Sequence, residues 1–343
     1  MYKEKNALIL GAGGFIGEHI AKHLVENGWW VRGADIKKHE HKETSCNDFI
    51  IADLRDQVNV RHIVDIKFDM VFQLAADMGG AGYINTNLYD ADVMNNSATI
   101  NLNILDACYK RMIDQVFFSS SACVYNEHLQ SSTTNPDCRE DSVYPANPDS
   151  EYGWEKLFSE RLFLAYNRQH GMKNKVARFH NIFGEYGTWR GGKEKSPAAI
   201  CRKIAMANDG DEIEIWGDGE QTRTFLHVDD CVDAVMKLMM SNTFNGPVNI
   251  GSEQMVSINQ LVDIVAKIAN KKIVKKHVPG PQGVRGRTSN NELIRKHLKW
   301  KPKLTLEQGM RKTYKWIETQ VNAAYSSKKN NVLIFNSESK NGK

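Results

Sequence analysis

The sequence predicts an α/β protein built on a doubly wound parallel sheet, with a smaller, discontinuous C-terminal α/β domain. Short apolar runs such as "ALIL", "MVFQLAA" and "QVFFSS" alternate with longer segments of helical periodicity. These runs are apolar throughout rather than alternating, as in strands that are covered on both faces. A glycine-rich turn joins the first strand to the first helix, which is typical of βαβ units that bind nucleotides.

Composition excludes several classes of protein. The chain has 343 residues, 41% of them hydrophobic and 25% charged, and a net charge of +4 without a basic block. We therefore expect a globular protein of about two domains that binds neither nucleic acid nor a membrane. The first strand starts almost at once, so no signal peptide is expected. The six cysteines lack paired spacing, which predicts reduced thiols, no metal site and a cytoplasmic location.

The alternation of strands and helices also predicts domain boundaries. Residues 1–181 form the first domain, and about 217–250 return to it. Residues 182–216 and 251–322 form the second domain, where glycine-rich and charged loops replace the regular alternation. The polar segment 323–343 is predicted to be mostly disordered.

The turn "GAGGFIG" predicts a dinucleotide site of the Rossmann type. Gly11 permits the tight turn, Gly14 lets a pyrophosphate approach the backbone, and Gly17 lets helix and strand pack closely. The helix N-terminus, at Phe15 and Ile16, supplies amide donors to the phosphate. Alone this motif is weak to moderate evidence, because glycines also serve ordinary turns.

Two acidic residues extend this site. Asp35 ends the next strand, where a carboxylate binds the adenosine ribose hydroxyls and disfavours the 2′-phosphate of NADP. NAD is therefore the expected cofactor, although Arg32 and Lys37 lie near enough to weaken the preference. Asp53 and Leu54 are candidates for the adenine edge, and an N-cap in a loop explains Asp53 equally well.

The segment "SEYGWEKL" places Tyr152 and Lys156 on one face of a helix start. A nearby ammonium lowers the pKa of a phenol, which lets a tyrosinate act as a base. An ordinary amphipathic helix gives the same spacing. The preceding strand, however, ends in serines, and Ser121 can hydrogen-bond the same substrate hydroxyl.

Together these motifs and "WGDGEQTRTFLHVDD" resemble the extended short-chain dehydrogenase/reductase superfamily of nucleotide-sugar enzymes, over about residues 5–320. The resemblance implies catalytic roles for Ser121, Tyr152 and Lys156, with Lys156 also holding the nicotinamide ribose. It implies NAD that stays bound and is recycled. It also implies a homodimer built on the helices that carry Asn96 and Tyr152.

Within the superfamily, Cys123 and Lys195 narrow the function. With the glycine loop at Gly79, they resemble the enzymes that invert C3 and C5 of a GDP-linked mannose. Oxidation at C4 makes the C3 and C5 protons acidic, and a second acid/base pair must then exchange them. The resemblance assigns these roles to Cys123 and Lys195, and we expect Cys123 on the same side of an extended strand as Ser121. Taken singly, a buried cysteine and a solvated lysine are the commoner interpretations.

Basic and polar residues of the second half are candidates for the substrate's diphosphate and sugar, since guanidinium groups match phosphate oxygens. They are Asn181, Lys203, Arg223, Arg285 and Arg287. Two alternatives remain: an epimerase that inverts a single centre, C4 or C5, and a sensor that binds NAD without catalysis.

Overall fold

A computed structural model describes residues 5–84, 86–281 and 283–338 of the protein. The strands are β1 (Asn6–Leu10), β2 (Trp30–Asp35), β3 (Asp48–Ile51), β4 (Met70–Gln73), β5 (Val116–Ser121), β6 (Lys175–Phe179), β7 (Ile182–Phe183), β8 (Glu212–Trp216), β9 (Thr222–Thr224), β10 (Leu226–His227), β11 (Val248–Ile250), β12 (Met255–Ser257), β13 (Val274–Val278) and β14 (Gly286–Arg287). The helices are α1 (Phe15–Glu26), α2 (Gln57–Ile63), α3 (Ala81–Ile84), α4 (Asp90–Lys110), α5 (Glu151–His170), α6 (Ser196–Met206), α7 (Val228–Met239), α8 (Ile258–Ala269), α9 (Glu292–Leu298) and α10 (Leu306–Glu338). Short 3-10 helices lie at Ala122–Val124, Glu127–Gln130 and Glu140–Val143.

Seven strands form the main sheet, in the order β11-β6-β5-β4-β1-β2-β3. Every neighbouring pair in this sheet is parallel. The chain winds outward from β1 in both directions, so a crevice opens at the carboxyl ends of β1 and β4. The predicted doubly wound sheet is confirmed.

Both faces of this sheet are buried, which explains the continuous apolar runs. Successive side chains of a strand point to opposite faces. Ala7 and Ile9 of β1 belong to one core, which α1 and α7 cover, whereas Leu8 and Leu10 belong to a second core under α4 and α5.

A second unit lies beside the sheet. It contains the three-stranded sheet β12-β9-β14 and the pairs β13-β8 and β10-β7. Its core is built by α6, α8 and α10, through residues such as Ile200, Leu261 and Met310.

The boundary between the units is more interleaved than the predicted segments. β11 and α7 return to the first unit, but β9, inside the predicted segment 217–250, pairs with β12 and β14. Ile294 and Trp300, inside the predicted segment 251–322, pack in the first unit's core. We propose a two-domain division in which β9 belongs to the second unit and the segment with Ile294 and Trp300 belongs to the first unit.

The C-terminal segment begins as a helix, and the disorder of residues 323–343 stays a prediction. α10 continues to Glu338, and residues 339–343 lie outside the described residues. No glycine or proline interrupts residues 310–341, so the sequence contains no strong signal to end the helix. Among the described residues, none of the helices is long and apolar enough to cross a membrane.

Candidate active site

A cleft of about 940 Å³ runs along the carboxyl edge of the main sheet and is lined by both units. Nearly every residue that the sequence predicts for the site lines it. These are Gly11, Gly14, Phe15, Ile16, Gly17, Asp35, Asp53, Leu54, Gly79, Ser121, Cys123, Tyr152, Lys156, Asn181, Lys195, Lys203, Arg223 and Arg287. The exception is Arg285, which lies outside the lining and pairs with Asp218 at 3.0 Å. The structure therefore gives no support to Arg285 as a substrate ligand, because its guanidinium is engaged on the surface.

The glycine turn fits a dinucleotide pyrophosphate. Gly11 has a φ of +88°, and a side chain at Gly17 would collide with the Gly11 carbonyl. Gly14 caps α1 without a side-chain hydrogen bond, which leaves the helix's first amides directed at the cleft. Gly13, which the sequence analysis did not single out, donates its N–H to Asp35 Oδ2 at 3.0 Å.

The two predicted acidic residues differ in their surroundings. Asp35 also accepts a hydrogen bond from the amide of Lys37, and burial raises the pKa of its carboxyl. Its position in the cleft fits the predicted contact with ribose hydroxyls. Asp53 is bound by Arg55 at 2.6 Å, and that hydrogen bond lowers its pKa.

The end of β5 departs from the predicted extended geometry. The strand stops at Ser121, and residues 122–124 form a 3-10 turn. Ser121 Oγ accepts the N–H of Cys123 at 3.2 Å, and this cap turns the chain. Ser121 and Cys123 nevertheless both line the cleft, so the turn, rather than strand alternation, places the thiol beside the hydroxyl.

The Cys123 thiol is held in a buried polar cluster. Arg287 Nη1 donates to Cys123 Sγ at 3.2 Å, and Arg287 Nη2 pairs with Asp149 Oδ2 at 2.7 Å. Arg287 Nε donates to Gln130 Oε1. Burial acts to lower the pKa of Arg287, but Asp149 and Cys123 outweigh it and raise the pKa. Arg287, predicted as a phosphate ligand, thus supplies the cation beside the thiol.

Tyr152 and Lys156 start α5, whose N-cap Ser150 accepts the Gly153 N–H. A side chain at Gly153 would collide with the Cys123 carbonyl, so this glycine lets α5 approach the thiol's turn.

The pKa of Tyr152 differs from the prediction. Burial, followed by the charges of Cys123 and Glu155, raises the pKa of the Tyr152 phenol, and only a hydrogen bond with Ser121 lowers it. The Lys156 ammonium lies 5.6 Å from the Tyr152 ring centroid and donates to the Ser119 carbonyl at 3.1 Å. Burial also lowers the pKa of Lys156. The lysine alone therefore does not produce a phenol of lowered pKa.

Lys195 is the N-cap residue of α6, on the opposite unit from Cys123. Burial lowers the pKa of its ammonium, and the charge of Cys123 acts in the reverse direction. The thiol and the ammonium thus share one cleft. This is the arrangement needed by a base and an acid that act on the same substrate.

Three further predicted ligands face the substrate side of the cleft. Asn181 donates to the Thr224 carbonyl at 3.1 Å and has a φ of +36°. Lys203 donates to the Glu214 carbonyl. Burial, with Arg287 beside it, lowers the pKa of Arg223 to about 10. Lys203 and Arg223 supply positive charge for an anionic ligand.

Asp149, Asp77 and Asn96 also line the cleft, and sequence reasoning assigned no role to Asp149 or Asp77. The only signal for Asp149 was its position directly before the α5 N-cap. Its partner Arg287 is 138 residues away in the chain, a separation that local patterns do not reveal.

Comparisons with known proteins agree with this geometry. The NAD dependent epimerase/dehydratase family matches residues 7–251. A GDP-mannose 3,5-epimerase of Arabidopsis thaliana is 45% identical over 91% of this chain and 82% of its own length. A putative UDP-glucose 4-epimerase of Methanocaldococcus jannaschii is 31% identical over 91% of this chain and 98% of its own. The solved UDP-glucose 4-epimerase of Thermotoga maritima, 27% identical, superposes with a TM-score of 0.81 over 92% of this chain and 99% of its own. The chain belongs to the NAD dependent epimerase/dehydratase family.

Proposed function

We propose that this protein is a GDP-mannose 3,5-epimerase, which makes GDP-L-galactose by inverting C3 and C5 and GDP-L-gulose by inverting C5 alone. The observation that carries the proposal is the Cys123 thiol, hydrogen-bonded by Arg287 in the same cleft as Ser121 and Tyr152. A second acid/base group at this position serves proton exchange at carbon, which simple C4 inversion does not need. The activity named for the Arabidopsis thaliana relative supports the same conclusion.

Oxidation at C4 uses the residues at the end of β5 and the start of α5. NAD held at the glycine turn and Asp35 would supply hydride transfer from and back to C4, together with a positive charge in the cleft. Tyr152 accepts the proton of the C4 hydroxyl, while Ser121 hydrogen-bonds that oxygen. Because burial raises the pKa of Tyr152, the tyrosinate needs positive charge in the cleft beyond that of Lys156.

Inversion of the neighbouring centres uses the second pair. The C4 ketone makes the protons on C3 and C5 acidic. Cys123 removes such a proton as thiolate, and Lys195 returns one to the opposite face of the carbon. Each inversion leaves Cys123 as a thiol and Lys195 as a neutral amine, and proton exchange with solvent restores the thiolate and the ammonium before the second centre reacts. Arg287 stabilises the thiolate through its hydrogen bond to sulfur.

Substrate binding is assigned to the remaining cleft residues. We propose that Asn181, Lys203 and Arg223 contact the diphosphate and sugar, and that Gly79 gives the sugar room to approach the backbone. Arg287 contacts the sugar end rather than the diphosphate, since its donors already engage Cys123, Asp149 and Gln130.

We also propose a homodimer formed through α4 and α5. The two helices pack together and expose apolar side chains: Leu102 and Tyr109 on α4, and Trp154 and Phe158 on α5, are each 40–48% exposed. Exposed apolar patches of this kind mark interaction surfaces. A cytoplasmic location is supported by the six cysteines, all of which are unpaired.

Incubation with GDP-mannose in heavy water, followed by NMR, tests the function. We expect deuterium at both C3 and C5 in the wild type and at neither in Cys123→Ser, which should still bind NAD. Cys138→Ser is the matched control, because Cys138 is also buried but lies outside the cleft lining. A C4-inverted product without solvent label would establish the single-centre alternative, and full exchange in Cys123→Ser would assign the thiol to packing alone.

A further inference from the structure

The segment that leads into Lys195 rests on a loop of the first unit. We call residues 184–195 the substrate loop and residues 76–84 the glycine loop. The Gly80 amide donates to the Lys193 carbonyl at 3.2 Å. A Cβ on Gly80 would lie only 2.7 Å from the Glu194 carbonyl oxygen, so the two backbones are in direct contact. The glycine loop thus supports the two residues before Lys195.

Tyr83 adds a side-chain contact to this support. The Lys193 ammonium lies 3.8 Å from the Tyr83 ring centroid, a close cation–π contact. The Tyr83 hydroxyl donates to Asp77 Oδ1 at 3.0 Å, and Asn96 donates to the other carboxylate oxygen at 2.9 Å. Donation to a carboxylate increases the electron density of the ring and so strengthens its attraction for the ammonium. The hydrogen bond to Asp77 therefore fixes the Tyr83 hydroxyl, and the face of the Tyr83 ring attracts the Lys193 ammonium.

The other side of Lys195 is fixed by a helix. Lys195 is the N-cap of α6, and Arg202 of that helix binds Glu194 at 2.8 Å and the Trp189 carbonyl at 3.0 Å. Glu194 is thus fixed to α6, and the preceding residue, Lys193, contacts Tyr83 of the first unit. Tyr83 also packs against the cluster of Val93, Cys123 and Tyr152, so it touches both the thiol's unit and the loop that leads to Lys195.

We propose that Tyr83 is a positioning residue for Lys195, which it aligns with Cys123 through Lys193. This inference rests on the acid/base role proposed above for Lys195. The two members of the proton-exchange pair belong to different units, and a displacement of about 1 Å in such a pair costs up to about 100-fold in rate. Tyr83 ties the lysine's loop to the unit that carries the thiol.

The first test compares proton exchange with oxidation. In Tyr83→Leu we expect deuterium incorporation at C3 and C5 to fall about 10- to 100-fold, while the near-ultraviolet absorbance of reduced NAD on mixing with GDP-mannose persists. Tyr83→Phe keeps the ring but loses the hydrogen bond to Asp77. Its exchange rate should therefore lie between those of the wild type and Tyr83→Leu. Tyr325→Leu, an exposed tyrosine on α10, is the control and should match the wild type. Equal losses of oxidation and exchange, or no loss of either, would overturn the proposal.

The second test does not depend on the substrate. Acetic anhydride at limiting concentration acylates lysines, and mass spectrometry of the peptide with Lys193 and Lys195 measures each rate. We expect Tyr83→Leu to accelerate acylation of both lysines severalfold, and Tyr325→Leu to leave both rates unchanged. Unchanged rates in Tyr83→Leu would refute the positioning role. If the wild type shows no exchange with GDP-mannose, the proposed function fails, and acylation alone then decides whether Tyr83 holds the loop.

Discussion

Replacement of Arg287 by methionine separates the stability of the cleft from its chemistry. Methionine keeps much of the side-chain volume but removes three donors, those to Cys123, Asp149 and Gln130. Two distinct losses follow. The Asp149 carboxylate stays buried without its cation, and the Cys123 thiol loses its hydrogen bond.

The loss of stability follows from burial of the ion pair. The side chains of Arg287 and Asp149 are only 9% and 8% exposed, so water does not replace the missing guanidinium. Removing one partner of a buried pair costs about 3–5 kcal/mol. For a chain of 343 residues that corresponds to a fall of about 4–7 °C in Tm. The double variant Arg287→Met with Asp149→Asn should recover much of this loss, because no uncompensated charge remains.

The loss of chemistry should persist in the double variant. A hydrogen bond to a charged group contributes about 1.5–3 kcal/mol, which corresponds to about 10- to 150-fold in a rate that depends on charge at the sulfur. We therefore expect iodoacetamide to alkylate Cys123 about 10- to 150-fold more slowly at neutral pH in both variants. The assay is the rate of alkylation of the Cys123 peptide, read by mass spectrometry, beside thermal melting.

Arg178→Met is the matched control. Arg178 pairs with Glu160 at 2.8 Å, and both side chains are at least as buried as the Arg287 pair, but Arg178 lies outside the cleft lining. The Arg178→Met variant should lose comparable stability, and iodoacetamide should alkylate its Cys123 at the wild-type rate. If Cys123 of Arg287→Met is also alkylated at the wild-type rate, the guanidinium serves packing only and the proposed activation of the thiol is wrong.

Three further predictions concern cofactor choice, acid stability and assembly. Asp35→Ser should weaken NAD binding about 10- to 100-fold by fluorescence titration and improve NADP relative to NAD, because it removes a charged acceptor; unchanged preference would contradict the ribose contact. Burial acts to raise the pKa of Glu185, but the hydrogen bond with His227 outweighs it and lowers the pKa from 4.5 to about 2. A carboxyl whose pKa is lower in the folded state stabilises the protein above the unfolded pKa, and this stabilisation is lost as the pH falls. Glu185→Gln should therefore lower the free energy of unfolding in urea by about 2 kcal/mol at neutral pH and by less at about pH 3. Phe158→Asp should shift the protein from dimer to monomer on gel filtration, and a wild-type monomer would refute the α4–α5 interface.

Local patterns in the sequence were sufficient to predict most of the strands and helices of the first unit. The turn around Gly11 and the continuous apolar run of β1 are local features of the chain, so spacing and periodicity report them directly. The pairing of Tyr152 with Lys156 is local for the same reason. These features required no knowledge of which distant segments meet.

Long-range contacts account for what the sequence did not predict. The residue type of Arg287 predicts a contact with the substrate's phosphate or sugar, but it does not reveal the contact with Cys123, which lies 164 residues earlier. The pKa of Tyr152 depends on burial, which the spacing of Lys156 does not measure. At the C-terminus two local signals oppose each other, because the polar composition of residues 323–343 predicts disorder whereas no glycine or proline lies between 310 and 341 to end α10.

The cleft divides its chemistry between the two units, and this division has a physical consequence. In the proposed mechanism, the groups that oxidise C4, namely Ser121, Tyr152 and Lys156, all belong to the first unit. The groups proposed for proton exchange include Lys195 and Arg287, which the second unit carries at the start of α6 and on β14. β14 lies so close to the first unit that a side chain at Gly286 would collide with the Ser132 carbonyl. Loosening this contact withdraws the thiol's cation while the oxidation residues stay in place. Changes at the junction should therefore impair inversion before they impair oxidation.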